Sequence, residues 1–85
     1  TRGLAFFEEL RELRREIARE KGIPPYLVFS DKTLVDMCVR LPMNREEMMA
    51  VNGMGAFKYE QYGERFLSCI MEYTGGIREK FYFGE

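Results

Sequence analysis

Few side chains in this sequence are equipped for chemistry. Histidine is absent from all 85 residues, which removes the usual general base at neutral pH and the commonest zinc ligand. Ser30 and Ser68 therefore have no imidazole to activate them as nucleophiles. Glu46 and Glu47 are neighbours on a predicted helix, so they point about 100° apart and do not converge as a carboxylate pair. Cys38 and Cys69 are two thiols, too few for a four-ligand metal site. This inventory speaks against a hydrolase or a metalloenzyme, and it calls for no cofactor.

What remains is the chemistry of contact. Tyr26 follows Pro24 and Pro25, whose rings fix φ and hold the residues before them extended. A phenol on so stiff a connector can stack on an unpaired base. Arg19, Lys21 and Lys32 lie close to it in sequence and can neutralise the phosphates beside such a base. A half-buried Tyr26, stapling two helices with its hydroxyl in water, is the competing reading. A second candidate is Gly53-Met54-Gly55 opening a helix, with Lys58 one turn on. Backbone N–H groups at such a turn can hold a phosphate, and the segment is similar to a helix-hairpin-helix. Phe57 and Tyr59 stand where small or basic residues would suit that role, and Glu60 and Glu64 follow. A purely structural turn is the other reading of these glycines.

Helices must position these groups. Phe6, Phe7, Leu10, Leu13, Ile17 and Ala18 recur at three- and four-residue steps, which predicts an amphipathic helix from Leu4 to Lys21. Glu8–Arg11, Glu12–Arg15 and Glu16–Arg19 are expected as ion pairs on its solvated faces, and Gly22 as its left-handed cap. Pro25–Phe29 is expected to hold a short turn of helix. Ser30 can cap a second helix over Asp31–Arg40, burying Leu34, Val35, Met37, Cys38 and Leu41. Pro42 breaks the pattern. Asn44 and Glu47 have capping-box spacing, and Met43 with Met48 that of a hydrophobic staple, before a short helix from Arg45 to Ala50. Asn52-Gly53-Met54-Gly55 reads as a tight turn. The last helix runs from Ala56 to Tyr73, interrupted at Gly63, with Phe57, Tyr62, Phe66, Leu67, Cys69, Ile70 and Tyr73 on its inner face. Thr74-Gly75-Gly76 reads as a flexible break. The tail to Glu85, with Phe81, Tyr82 and Phe83, has no helical period. The fold class is all-α, a small bundle of four to five helices.

Composition sets the outer bounds. Eighty-five residues make one domain, and its start at Thr1 is what a piece of a longer protein would show. A domain this short buries only roughly 60–65 % of its unfolded surface, enough for a scaffold and little for a deep pocket. No stretch approaches the ~20 apolar residues of a membrane span, and no N-terminal signal appears. Both cysteines fall in helical apolar patterns and are expected to be buried, reduced and unpaired, as in an intracellular protein. The formal net charge is −1. Residues 1–45 carry nine basic and seven acidic side chains, whereas residues 46–85 carry four and seven. A dedicated duplex-DNA binder is far more basic, so any nucleic-acid contact is local and weak.

The run FFEELRELRREIAREKGIPPYLVFSDKTLVDM, then LPMNREEMMAVNGMG, then KYEQYGERFLSCI, resembles the HRDC domain. That domain occurs at the C-terminus of RecQ helicases and in RNase D-type exonucleases. The resemblance covers residues 4–73 and is greatest to the bacterial RecQ versions, leaving 74–85 as a tail. Its most specific pieces are Pro-Pro-Tyr-Leu-Val-Phe-Ser-Asp leading into a helix and Val51-Asn52-Gly53-Met54-Gly55 some two dozen residues later. The resemblance implies a monomeric accessory module whose ATPase motor lies elsewhere in a bacterial, cytoplasmic, nucleoid-associated protein. Such a module tunes which DNA structures are engaged in repair and recombination. The implied partners are DNA, single-stranded and weakly held, or the helicase core of the same chain, with no membrane. Docking onto a protein domain is the rival reading, favoured by the near-neutral charge and the aromatic tail.

Overall fold

The computed structural model describes residues 2–76, with side chains from Leu4 onward. Helix α1 (Arg2–Lys21) leads into a 3₁₀ turn (Pro25–Leu27), α2 (Asp31–Arg40) and α3 (Arg45–Met49). The last helix, α4, spans residues 56–74 and is α-helical at Ala56–Lys58, π-helical at Tyr59–Gly63 and α-helical again at Glu64–Thr74. No strand occurs among the described residues. The aromatic tail from Ile77 to Glu85 lies outside them.

Each boundary has a local cause. Gly22 takes a φ of +69° after α1, and Ile23 N–H closes on the Ala18 carbonyl at 3.0 Å. Ser30 Oγ accepts from Thr33 N–H at the start of α2, and Asn44 Oδ1 accepts from Glu47 N–H at 2.9 Å at the start of α3. The Glu47 carboxylate reaches back to Met43 N–H at 2.8 Å, one residue beyond the usual capping-box target. Leu41 closes α2 in the left-handed region at φ 45°, and Pro42 prevents continuation.

The elements fold back on one another around a shared core. Helix α2 returns along α1, so that Arg14 pairs with Asp31 at 2.8 Å. Leu4 and Phe7 lie beside Val35, Cys38 and Val39 at the other end of the pair. Helix α4 also returns along α1: Arg65 pairs with Glu20 at 2.9 Å, and Tyr73 stacks on Phe6 with centroids 4.0 Å apart. Phe6, Leu10, Ile17, Phe29, Leu34, Met37, Met48, Phe66 and Ile70 are fully buried. Each such side chain contributes about 1.5–3 kcal/mol on burial. Phe29 sits at the centre, edge-on to Phe66 at 5.0 Å and to Tyr62 at 5.8 Å.

The expected faces need four corrections. Val35 is 49 % exposed, because Leu34 and Met37 turn inward and α1 shields only part of the adjoining face. Phe57 is 71 % exposed, because it stands two residues before the buried Tyr59 and thus on the far side of the helix. Cys38 and Cys69 are free but only half-buried; burial still pushes each thiol up to about 11. Glu16 lies 3.9 Å from Arg65 instead of pairing with Arg19, since α4 runs past that face of α1. The other two predicted pairs form, Glu8–Arg11 at 3.2 Å and Glu12–Arg15 at 3.5 Å.

Gly63 is where the last helix changes its winding. A Cβ there would run into the Tyr59 ring, so the side chain's absence lets that ring lie across the helix. Arg45 also lies over this ring, its guanidinium carbon 5.2 Å from the centroid.

Candidate nucleic-acid interface

Tyr26 occupies the middle of the 3₁₀ turn and is 68 % exposed, which rules out the half-buried staple. Its backbone is held from below. Leu27 N–H donates to the Pro24 carbonyl and Val28 N–H to the Pro25 carbonyl, both at 3.0 Å. The three carbonyls that follow Tyr26, those of Leu27, Val28 and Phe29, are taken by cations from two other helices. The Lys58 ammonium donates to the Leu27 and Val28 carbonyls at 2.7 and 2.8 Å. The Arg14 guanidinium donates to the Phe29 carbonyl at 2.9 Å. The Lys58 ammonium also lies 5.6 Å from the centre of the Phe29 ring, so the same cation touches both backbone and core. With the prolines, these contacts leave the turn little freedom to lose when something lands on Tyr26.

The site residues read from the sequence divide into three groups. Lys58 is placed beneath the turn, where two of its three N–H donors are engaged. Lys21 extends from the end of α1 towards α4, its ammonium 3.4 Å from Gln61 Oε1 and 6.0 Å from the Tyr62 ring centre. Arg19 and Lys32 are exposed, on the last turn of α1 and the first of α2. Among the described residues neither takes part in an ion pair.

Gly53 and Gly55 play different parts. Gly53 has a φ of +85°, and a Cβ on it would collide with the Thr33 hydroxyl. Glycine is thus required twice over, by conformation and by the close approach of α2. Gly55 is extended, φ −127° and ψ 173°, and its carbonyl accepts the Tyr59 N–H at 2.8 Å. The turn therefore sits against Thr33 in the first turn of α2 and opens the helix that carries Lys58. Through Lys58 this segment is tied to the connector that carries Tyr26, some thirty residues earlier in the chain.

The acidic residues at this end are compensated from within the domain. Asp31, 2.8 Å from Arg14, faces a cation that is itself buried. Glu20 receives two N–H groups of Arg65, at 2.9 and 3.4 Å. That hydrogen bonding holds its carboxyl below the usual range and pushes the Arg65 guanidinium up. Neither carboxylate opposes the surface cations as an isolated charge would. Asp36, farther along α2, accepts from Asn52 N–H and Arg40 Nε, both at 2.8 Å. The Asn52 hydrogen bond, followed by that of Arg40, lowers its pKa.

Sequence reasoning missed Arg14 and the exposure of Phe57. A signal for Arg14 exists: it falls in the apolar stripe of α1, four residues after Leu10 and three before Ile17, where an arginine must find buried acceptors.

These features define a small helical domain that presents an exposed aromatic on a braced connector, with cations on the helices that flank it. A family model described as the HRDC domain matches residues 3–70, and the chain belongs to that family. The ATP-dependent DNA helicase RecQ of Bacillus subtilis is 46 % identical over 68 residues, covering 80 % of this chain and 12 % of the relative. The ATP-dependent DNA helicase UvrD2 of Mycobacterium tuberculosis is 37 % identical over 62 residues, covering 73 % and 9 %. Among solved structures, D. radiodurans RecQ HRDC domain 3 superposes with a TM-score of 0.80 at 38 % identity, covering 85 % of this chain and 95 % of that one. This chain thus spans about a tenth of the length of its helicase relatives and nearly all of the isolated domain. No helix among the described residues is long and apolar enough to cross a membrane.

Proposed function

We propose that this domain is the nucleic-acid-binding accessory module of a RecQ-type ATP-dependent DNA helicase. In this reading it contacts single-stranded or structured DNA weakly and tunes which substrates the motor engages in repair and recombination. The observation that carries the reading is Tyr26, 68 % exposed on a turn whose following carbonyls are held by Lys58 and Arg14. A base stacks on the phenol, and Arg19, Lys21 and Lys32 face the adjoining phosphates. Lys58 serves chiefly by positioning Tyr26. Gly53 shapes the turn, and Gly55 offers its backbone beside it.

The test is the affinity of the isolated domain for labelled single-stranded oligonucleotides. Binding is expected on the order of 10⁻⁴–10⁻⁶ M. Tyr26→Ala should weaken it by about 1–3 kcal/mol while changing folding stability by no more than about 0.5 kcal/mol. Binding at low salt that ignores Tyr26, or none at all, would sink the reading. The alternative is an intramolecular docking module, favoured by the open apolar groove among Leu4, Phe7, Val35, Cys38 and Val39.

A further inference from the structure

Phe57 is the most exposed of the large apolar side chains among the described residues, at 71 %. The buried Tyr59, two positions on, fixes the rotation of the helix, so Phe57 cannot turn inward without expelling that ring. Its neighbours along the helix are tied to the Tyr26 turn and to the end of α1. The adjacent residue, Lys58, is bonded to the Leu27 and Val28 carbonyls. One turn on, Gln61 meets the Lys21 ammonium. Phe57 therefore stands at the same end of the bundle as Tyr26, with Lys21 and Lys58 on the elements that join them. Glu60, the nearest acid along the helix, lines a separate cleft with Arg45, Tyr59 and Glu64.

We propose that Phe57 is a second stacking platform, so that a single strand laid across this end places one base on Tyr26 and another on Phe57. The proposal rests on the DNA-binding reading above and extends it to a residue that reading does not use. A phenyl ring has a π-face and no polar atom, so it accepts any base and adds nothing to the salt dependence. The cations alongside and the internal compensation of Glu20 and Asp31 favour a polyanion over a protein surface as the occupant. Two platforms on separate elements also explain how a domain of net charge −1 could hold a strand: base stacking would supply what phosphate contact alone cannot.

The chain contains no tryptophan, which makes Phe57→Trp a direct probe. Titration with oligothymidylate should quench the new indole, with the same midpoint as the anisotropy of a labelled strand. Phe57→Ala should weaken binding at least about fivefold without changing its salt slope or the melting of the domain. Phe57→Leu, apolar but without a π-face, should weaken it to a similar extent. Tyr26-dependent binding that Phe57→Ala leaves intact would overturn the second platform and spare the first. Full binding by Phe57→Leu would overturn stacking at this position. An indole unmoved by bound DNA, or one that shifts with protein concentration alone, would do the same, the latter pointing to a second copy of the chain as the occupant. If the unaltered domain binds no strand, both readings fall together.

Discussion

The two ends of the α1–α2 pair both expose apolar side chains, yet they are built differently. At the connector end, Tyr26 and Leu27 ride on backbone whose carbonyls are held by Lys58 and Arg14, with surface cations close by. At the opposite end, Leu4, Phe7, Val35, Cys38 and Val39 form a shallow groove of aliphatic, aromatic and thiol side chains with no ionisable nitrogen among them. Exposure alone does not distinguish them: Tyr26 is 68 % and Val39 64 % exposed. The distinction is preorganisation. Two cationic side chains, the buried Arg14 and the half-buried Lys58, are committed to fixing the shape of one end, whereas the other is the incompletely covered edge of a helix pair. A domain this small buries too little surface to cover every apolar residue, so an exposed valine on its own needs no functional explanation.

The largest expected effect breaks the connector. Arg14→Met keeps much of the apolar bulk but leaves the buried Phe29 carbonyl without its 2.9 Å donor. An unsatisfied buried acceptor costs about 1–3 kcal/mol, so the urea midpoint should fall accordingly. Little of that loss belongs to the ion pair, because the Asp31 side chain is largely exposed and water can replace its partner. An Arg14→Met domain as stable as the parent would show that the turn is held by the prolines and the core alone.

Lys58→Met should cost less, about 1–2 kcal/mol, because the Leu27 carbonyl is near the surface and can be rehydrated. Its value is in dividing two roles. If Lys58 positions Tyr26, its loss weakens oligonucleotide binding while leaving the salt slope nearly unchanged. Lys21→Ala, removing a phosphate contact, should lower that slope by about one. A slope that falls equally in both variants would make Lys58 a phosphate contact and the bracing incidental.

The fold was readable because its boundaries are set by local chemistry. Ser30 and Asn44 cap helices through their own side-chain oxygens, Gly22 takes the positive φ that ends α1, and Pro42 excludes continuation of α2. None of these depends on distant residues. The exposure of Tyr26 was readable for the same reason, since two consecutive prolines dictate how its backbone is presented. Phe57 and Val35 were misplaced because hydrophobicity reports what a side chain prefers, and the rotation of a helix is decided by its best-packed residues. In α4 those are Tyr59, Tyr62 and Phe66; in α2 they are Leu34 and Met37. The braces were hidden for a different reason. Arg14 and Lys58 reach carbonyls 15 and 30 or 31 positions away, and backbone acceptors carry no mark in the sequence. Likewise, Glu16 is as well spaced for Arg19 as Glu12 is for Arg15, and only the passage of α4 across that face decides for Arg65.

The smallest expected effect tests the groove. Val39 lies in the last turns of α2 with 64 % of its surface in water, so Val39→Ala removes few contacts. A β-branched side chain is also stiff in a helix, and replacing valine by alanine there gains roughly half a kcal/mol. The two terms oppose each other, and the propensity term should prevail because so little of the side chain is buried. Denaturation should therefore show Val39→Ala unchanged or more stable by up to about 0.5 kcal/mol, with oligonucleotide affinity unaltered. A loss above about 1 kcal/mol would mean that the groove is covered in the folded chain, since only a packed valine costs that much to trim. The comparison between the two ends would then change sense, from a built surface facing an unfinished one to a built surface facing a covered one.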